Sequence, residues 1–381
     1  MKYLNMRNIG KYTLAIMFSS ILFFSTSSCT QNNKTESLLS LKNGIGKDFL
    51  IGVAVNPNET SGRDTIGAAL IVRQFNSIVP ENCMKCAEIH PEENRFFWAR
   101  ADQYVDFGVK HHMFIIGHCL IWHSQLAPWF CVDSIGRDVS PYVLKKRMKS
   151  HISTIVSRYK GRVKGWDVVN EALLYDGTYR NSKFYQILGE EFIPYAFQCA
   201  HEADPQAELY YNDYSLFLPS KQQGVLHIVK SIRDYGAMIN GIGMQSHFTM
   251  EGPSISQVQT AIDTLSSTGC KLMITEFDLS VLPFPHEING AGIEQTEKYS
   301  IQYNPYTKLL PDSIKQVWST HMKAYFDLYR SNKSKIERVT IWGLTDKCSW
   351  RNNWPISGRT DYPTLFNRNY TAKQFTRTLM R

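Results

Sequence analysis

Val163-Lys-Gly-Trp-Asp-Val-Val-Asn170-Glu171 is a short, largely apolar and β-branched run that stops in an amide and a carboxylate. A second run of the same kind is Lys271-Leu-Met-Ile-Thr-Glu276-Phe-Asp278. Such runs suit strands of a parallel sheet buried on both faces. A carboxylate where a buried strand ends is costly to desolvate, and in parallel α/β barrels that end of the strand carries the chemistry. Glu171 and Glu276, on two different strands, are what cleavage of a glycosidic bond requires. One acid protonates the leaving oxygen, and one carboxylate attacks or activates water.

Outward from these two runs, short apolar segments alternate with longer amphipathic ones. Strands are expected at residues 49–55, 75–79, 113–118, 165–170, 208–212, 241–247, 271–276 and 339–344. Helical spacing of apolar residues marks 143–159 (Val143, Leu144, Met148, Ile152, Ile155, Val156) and 222–235 (Val225, Ile228, Val229, Ile232). Eight strand–helix alternations without a dinucleotide-type glycine cluster predict an α/β fold, a single (β/α)8 TIM barrel. Nearly every expected strand ends in polar or aromatic residues: Glu81-Asn82, His118 with Trp122-His123, Asn170-Glu171, Asn212-Asp213, Gln245 with His247, Glu276 with Asp278, and Trp342. Those ends should share one face of the barrel.

Seven strings carry a resemblance: Phe75-Asn-Ser-Ile-Val-Pro-Glu-Asn-Cys-Met-Lys85, Gly117-His-Cys-Leu-Ile-Trp-His-Ser-Gln125, Trp166-Asp-Val-Val-Asn-Glu-Ala172, Tyr211-Asn-Asp-Tyr214, Gly243-Met-Gln-Ser-His247, Ile274-Thr-Glu-Phe-Asp278 and Trp342-Gly-Leu-Thr-Asp-Lys-Cys-Ser-Trp350. In this order they resemble glycoside hydrolase family 10, whose members are mainly retaining endo-β-1,4-xylanases. The resemblance implies that Glu171 is the acid/base, which must carry its proton near neutral pH, and that Glu276 is the nucleophile. It implies supporting roles for His247, Asp278, Asn170 and Gln245, with His247 between Glu276 and Asp278 and Asn170 on the sugar 2-hydroxyl. Substrate contacts are implied for Glu81, Asn82, Lys85, His118, Trp122, Gln125, Asn212, Trp342 and Trp350. Xylan or xylo-oligosaccharide is then the substrate, with no metal and no organic cofactor. A barrel hydrolase on another β-1,4-glycan and a non-catalytic glycan-binding lipoprotein are the alternatives. Cys86 departs from the pattern, standing where family members usually carry tryptophan. Residues 282–316 form a long irregular segment directly after Glu276, expected to overhang the cleft.

The N-terminus reads differently from the rest. Lys2, Arg7 and Lys11 precede an apolar stretch, residues 12–24, too short to span a membrane comfortably but suited to export. Ser25-Thr-Ser-Ser-Cys29 resembles a bacterial lipoprotein cleavage site. The expected organisation is a signal peptide over 1–28, a lipidated Cys29 with a flexible tether over 29–44, and the catalytic barrel over 45–381. The protein would be exported and lipid-anchored in the cell envelope, touching membrane only through that anchor, and monomeric. The net charge of +8 falls to +5 once the three basic residues of the signal are set aside, and no basic run remains. This excludes nucleic acid as the expected partner. The seven cysteines after Cys29 cannot all pair, and Cys83-x-x-Cys86 has no second ligand pair nearby, so buried thiols are expected.

Overall fold

The structure, a computed structural model, describes residues 39–284 and 303–381. The expected signal, Cys29 and the tether as far as residue 38 lie outside the described residues. Ser40–Arg381 form one compact body. Among its described residues nine parallel strands run β1 (Leu50–Val55), β2 (Ser77–Pro80), β3 (Phe114–Trp122), β4 (Gly165–Asn170), β5 (Glu208–Asp213), β6 (Gly241–Met244), β7 (His247–Thr249), β8 (Lys271–Ser280) and β9 (Ile336–Ile341). Neighbours pair in the order β6-β5-β4-β3-β2-β1-β9-β8, and β6 pairs with β8 to close an eight-stranded barrel. β7 pairs only with the outer half of β8, His247 opposite Asp278. Strands β2, β4 and β6 are buried at every position, as expected where helices cover the outer face of a parallel sheet.

The eight expected strands are all present, with changed ends. The expected strand 241–247 is split: β6 stops at Met244, Ser246 takes φ +63°, and β7 resumes at His247. β3 and β8 each run four residues beyond their expected ends. β9 starts and stops three residues early, which puts Trp342 just past the strand.

The helix Pro141–Arg158 shows why the amphipathic segments cover the barrel. Ser140 caps it by accepting from the Val143 N–H, Pro141 fills its first turn, and Leu144, Met148, Ile152 and Ile155 are fully buried. Burial of each such side chain is worth about 1.5–3 kcal/mol over leaving it exposed. The helix Pro219–Asp234 buries Val225, Ile228, Val229 and Ile232, and with them Lys221. Inside the barrel Ala54, Val79, Ile116, Tyr210, Met273 and Trp342 form one buried cluster. Gly117 is required by close approach, since a Cβ there would lie 2.0 Å from the Trp166 ring.

Two expectations change at the edges. Leu41 is fully buried and its N–H donates to Gln74 Oε1 at 2.9 Å. Residues 40–44, expected as tether, therefore belong to the folded body. Of the expected irregular segment 282–316, residues 285–302 lie outside the described residues, and the helix Asp312–Ser331 already covers 312–316. All seven cysteines after Cys29 are free, and all but Cys348 are buried. Burial pushes the Cys83 and Cys86 thiols up to about 12.

Candidate active site

Because the strands are parallel, their C-terminal ends meet at one mouth of the barrel, where a cleft of about 1000 Å³ opens. Glu81, Asn82, Lys85, His118, Trp122, Gln125, Asn170, Glu171, Gln245, His247, Glu276, Trp342 and Trp350 line it. Asn212 and Asp278 do not. Asn212 is fully buried, donating from Nδ2 to Asn170 Oδ1 at 3.0 Å and to Glu276 Oε1 at 2.8 Å. The expected sugar contact at Asn212 is thereby corrected. It stands beneath the cleft wall and braces the two residues that do line it.

The two key glutamates are held differently. Glu171, 5% exposed, accepts from Trp122 Nε1 at 3.0 Å on Oε2 and from Gln245 Nε2 at 2.9 Å on Oε1. Asn170 Nδ2 lies 3.3 Å from the same Oε1. Glu171 has φ +57° and Gln125, Ser215 and Ser246 are also in the left-handed region. A non-glycine residue held there costs about 1–3 kcal/mol, and all four stand at or beside the ends of barrel strands at this mouth.

Glu276 meets a charged partner instead. His247 Nε2 lies 3.0 Å from Glu276 Oε2 and its Nδ1 lies 2.9 Å from Asp278 Oδ2. Asp278, with no exposed surface, also accepts from Trp350 Nε1 at 2.8 Å and from Arg351 Nε at 2.8 Å. The break between β6 and β7 makes this possible. It lets the Glu276 N–H donate to the Gln245 carbonyl at 2.9 Å while the His247 ring turns in between the two carboxylates.

The charges follow from these contacts. Burial alone would raise the Glu276 pKa. The hydrogen bond from His247, the nearby imidazoles of His118 and His247 and the amide of Asn212 outweigh it, and the pKa is lowered. Burial likewise opposes ionisation of Asp278, but Arg351 and His247 lower its pKa. For His247 burial works downward, and Asp278 and Glu276 together raise it to about 9. At neutral pH the triad is therefore carboxylate, imidazolium, carboxylate.

Several of the remaining expected contacts touch one another. Lys85 Nζ donates to Asn82 Oδ1 at 3.0 Å and lies 4.8 Å from the centre of the Trp122 ring. Gln125 Nε2 reaches the same Asn82 oxygen at 3.4 Å. His118, 2% exposed, pairs through Nδ1 with Asp167 Oδ2 at 2.8 Å. Trp342 meets His118 and His247 edge-on, with ring centres 5.4 and 6.2 Å apart. Cys86 is buried beside Lys85. Among the described residues no group of three or more His, Cys, Asp or Glu side chains is arranged to hold a metal ion.

Several residues of the site were not singled out in the sequence. Tyr175, in the loop after β4, and Tyr214 and Phe217, after β5, line the cleft. Tyr214 closes one of the quoted strings, but nothing in the string told a cleft tyrosine from a core one. Arg351 follows Trp350 directly, and no spacing rule ties it to Asp278.

The family model of Glycosyl hydrolase family 10 matches residues 40–381. The chain belongs to glycosyl hydrolase family 10. Within this family it is 42% identical to an endo-1,4-beta-xylanase A of Xylanibacter ruminicola, over 97% of each chain. It is 38% identical to an endo-1,4-beta-xylanase of Geobacillus stearothermophilus, over 88% of this chain and 96% of that one. Among solved family 10 structures, an endoxylanase from a sugarcane soil metagenome superposes with a TM-score of 0.86 at 39% identity, covering 90% of this chain and 99% of that one. The xylanase XynB of Paenibacillus barcinonensis, solved with a conduramine derivative, gives a TM-score of 0.79 at 35% identity, covering 90% of this chain and 97% of that one.

Proposed function

We propose that this family 10 member is an endo-1,4-β-xylanase that cleaves internal bonds of xylan with retention of configuration. The observation that carries the reading is the pairing of an ionised Glu276, held by His247 and Asn212, with Glu171 in one open cleft. Glu276 attacks the anomeric carbon as the bond to the leaving sugar breaks, and Glu171 gives its proton to the departing oxygen. Glu171 then takes a proton from water, which displaces Glu276 from the same carbon. Asn170 faces the cleft beside both glutamates and serves the sugar 2-hydroxyl. Glu81, Asn82, Lys85, His118, Trp122 and Gln125 bind sugars on the non-reducing side, under Trp342 and Trp350.

The test is incubation with unsubstituted β-1,4-xylan and, separately, soluble cellulose, with products resolved by size and the first anomer read by proton NMR. A ladder of short β-configured xylo-oligosaccharides from xylan alone is the expected result. Faster release from cellulose would move the substrate, and an initial α-anomer would replace retention by inversion.

The basic, apolar and small-residue segments that end at Cys29 support export and lipid anchoring in the cell envelope. Replacing Cys29 by serine should release the enzyme from membranes into the soluble fraction. Equal membrane association of both forms would overturn the anchor.

A further inference from the structure

The peptide that carries Glu171 is fastened on all sides. Its own N–H donates to the Asn212 carbonyl at 2.9 Å. Its carbonyl accepts from Arg180 Nε at 3.2 Å, and the following N–H, of Ala172, donates to Tyr211 Oη at 3.1 Å. The Leu173 carbonyl accepts from Lys221 Nζ at 3.4 Å.

Tyr211 and Lys221 meet on one carboxylate, and Arg180 is linked to it through Tyr214. Tyr211 Oη donates to Asp213 Oδ2 at 2.6 Å and Lys221 Nζ to Asp213 Oδ1 at 2.6 Å. Arg180 Nη2 donates to Tyr214 Oη at 2.8 Å, and the Tyr214 N–H donates to Asp213 Oδ1 at 2.8 Å. Lys221 Nζ also lies 3.5 Å from the centre of the Tyr214 ring.

Asp213, Lys221 and Tyr211 are fully buried and none of them lines the cleft. A buried ion pair is often no more stabilising than apolar side chains of the same volume. Lys221 stands on the apolar face of its helix, in line with Val225, Ile228, Val229 and Ile232. Packing alone does not call for a charge there. Holding a peptide with φ +57° in one place does, because Asp213 gathers donors from β5, from the turn after it and from the following helix.

We propose that Asp213, Tyr211 and Lys221, with Arg180, are positioning residues that fix the Glu171 peptide so that its carboxyl meets the leaving oxygen. The inference rests on Glu171 being the acid/base. In the first step the bond from Glu276 to the anomeric carbon forms, the bond to the leaving oxygen breaks, and the Glu171 proton goes to that oxygen. A displaced acid therefore harms a leaving group that needs the proton and spares one that departs as a stable anion.

The test compares kcat/KM on two aryl β-xylobiosides, one releasing phenol and one releasing 2,4-dinitrophenol, for the wild type, Tyr211→Phe and Glu171→Ala. Tyr211→Phe removes one oxygen and no charge. It should lower kcat/KM on the phenyl substrate about tenfold or more and on the dinitrophenyl substrate less than about twofold. Equal losses on both substrates would reduce Tyr211 to a general structural role, and no loss on either would remove it from the reaction. Both outcomes overturn the proposal. Glu171→Ala should show the same split, larger. If it shows none, the acid/base assignment itself fails and takes the proposal with it. Should Tyr211→Phe not fold, Arg180→Lys at a half-buried position keeps the charge, loses the forked contact and is read on the same two substrates.

Discussion

His247 holds Glu276 through Nε2 at 3.0 Å, with its other ring nitrogen on Asp278. The imidazolium thus lies between a carboxylate exposed to the cleft and one sealed behind it. The arrangement keeps Glu276 ionised although burial opposes this, which is what an attacking carboxylate needs.

Replacing Glu276 by alanine should lower kcat on xylan by about 10⁴-fold or more, since no other group is placed to form the covalent intermediate. Thermal unfolding should change little by comparison. Substantial turnover of polymeric xylan by this variant would sink the assignment of the nucleophile.

The His247 proton links stability to pH. Its pKa is about 9 in the folded protein against about 6.5 for a free histidine. Its contribution is therefore complete below about pH 6.5, declines as pH rises and is gone above about pH 9. The wild type should exceed His247→Gln in unfolding free energy by an amount that shrinks over this window, by about 3 kcal/mol in all. A difference independent of pH between 6 and 10 would contradict a charged His247.

Asn212 gives Glu276 a second donor. Asn212→Ala would leave acceptor oxygens on Glu276 and Asn170 short of a partner, at a cost of about 1–3 kcal/mol in stability. A hydrogen bond to the ionised form lowers a carboxyl pKa, so losing it should raise that of Glu276. The acidic limb of the kcat/KM profile should move to higher pH. An unmoved limb with unchanged melting temperature would show that Asn212 supports nothing.

Gly243 bears on the same brace. A Cβ at this position would lie 2.3 Å from Asn212 Oδ1 and 2.8 Å from the Thr275 methyl group. Gly243→Ala should cost about 1–3 kcal/mol by overpacking and lower kcat more than KM, because Asn212 must shift away from Glu276. Unchanged stability and kcat would mean that β6 can move aside.

Much of this was legible along the chain. The β-branched runs ending in Asn170-Glu171 and Glu276 marked strands and their chemical ends, because a strand buried on both faces has few polar positions and those at its end stand out. The helix expected over 143–159 was legible from its apolar spacing, while its start at Pro141 behind the Ser140 cap was not read. The edges were less so. Leu41 was assigned to a tether because its partner, Gln74, is 33 residues away. The break at Gln245-Ser246 was read as continuous strand, because alternation there is compatible with both.

Local residue chemistry, acting over a few neighbours, determined the barrel class and the two glutamates, and the family resemblance implied the rest of the fifteen expected residues, of which thirteen line the cleft. Tertiary structure alone decided that Asn212 lies behind the wall, that Arg351 seals Asp278, and that Asp213, Lys221 and Tyr211 meet under the Glu171 peptide. Each of these depends on hydrogen bonds between different strands, helices or loops. Such bonds have no period in the sequence, because the barrel closure and the turns after each strand set which side chains meet.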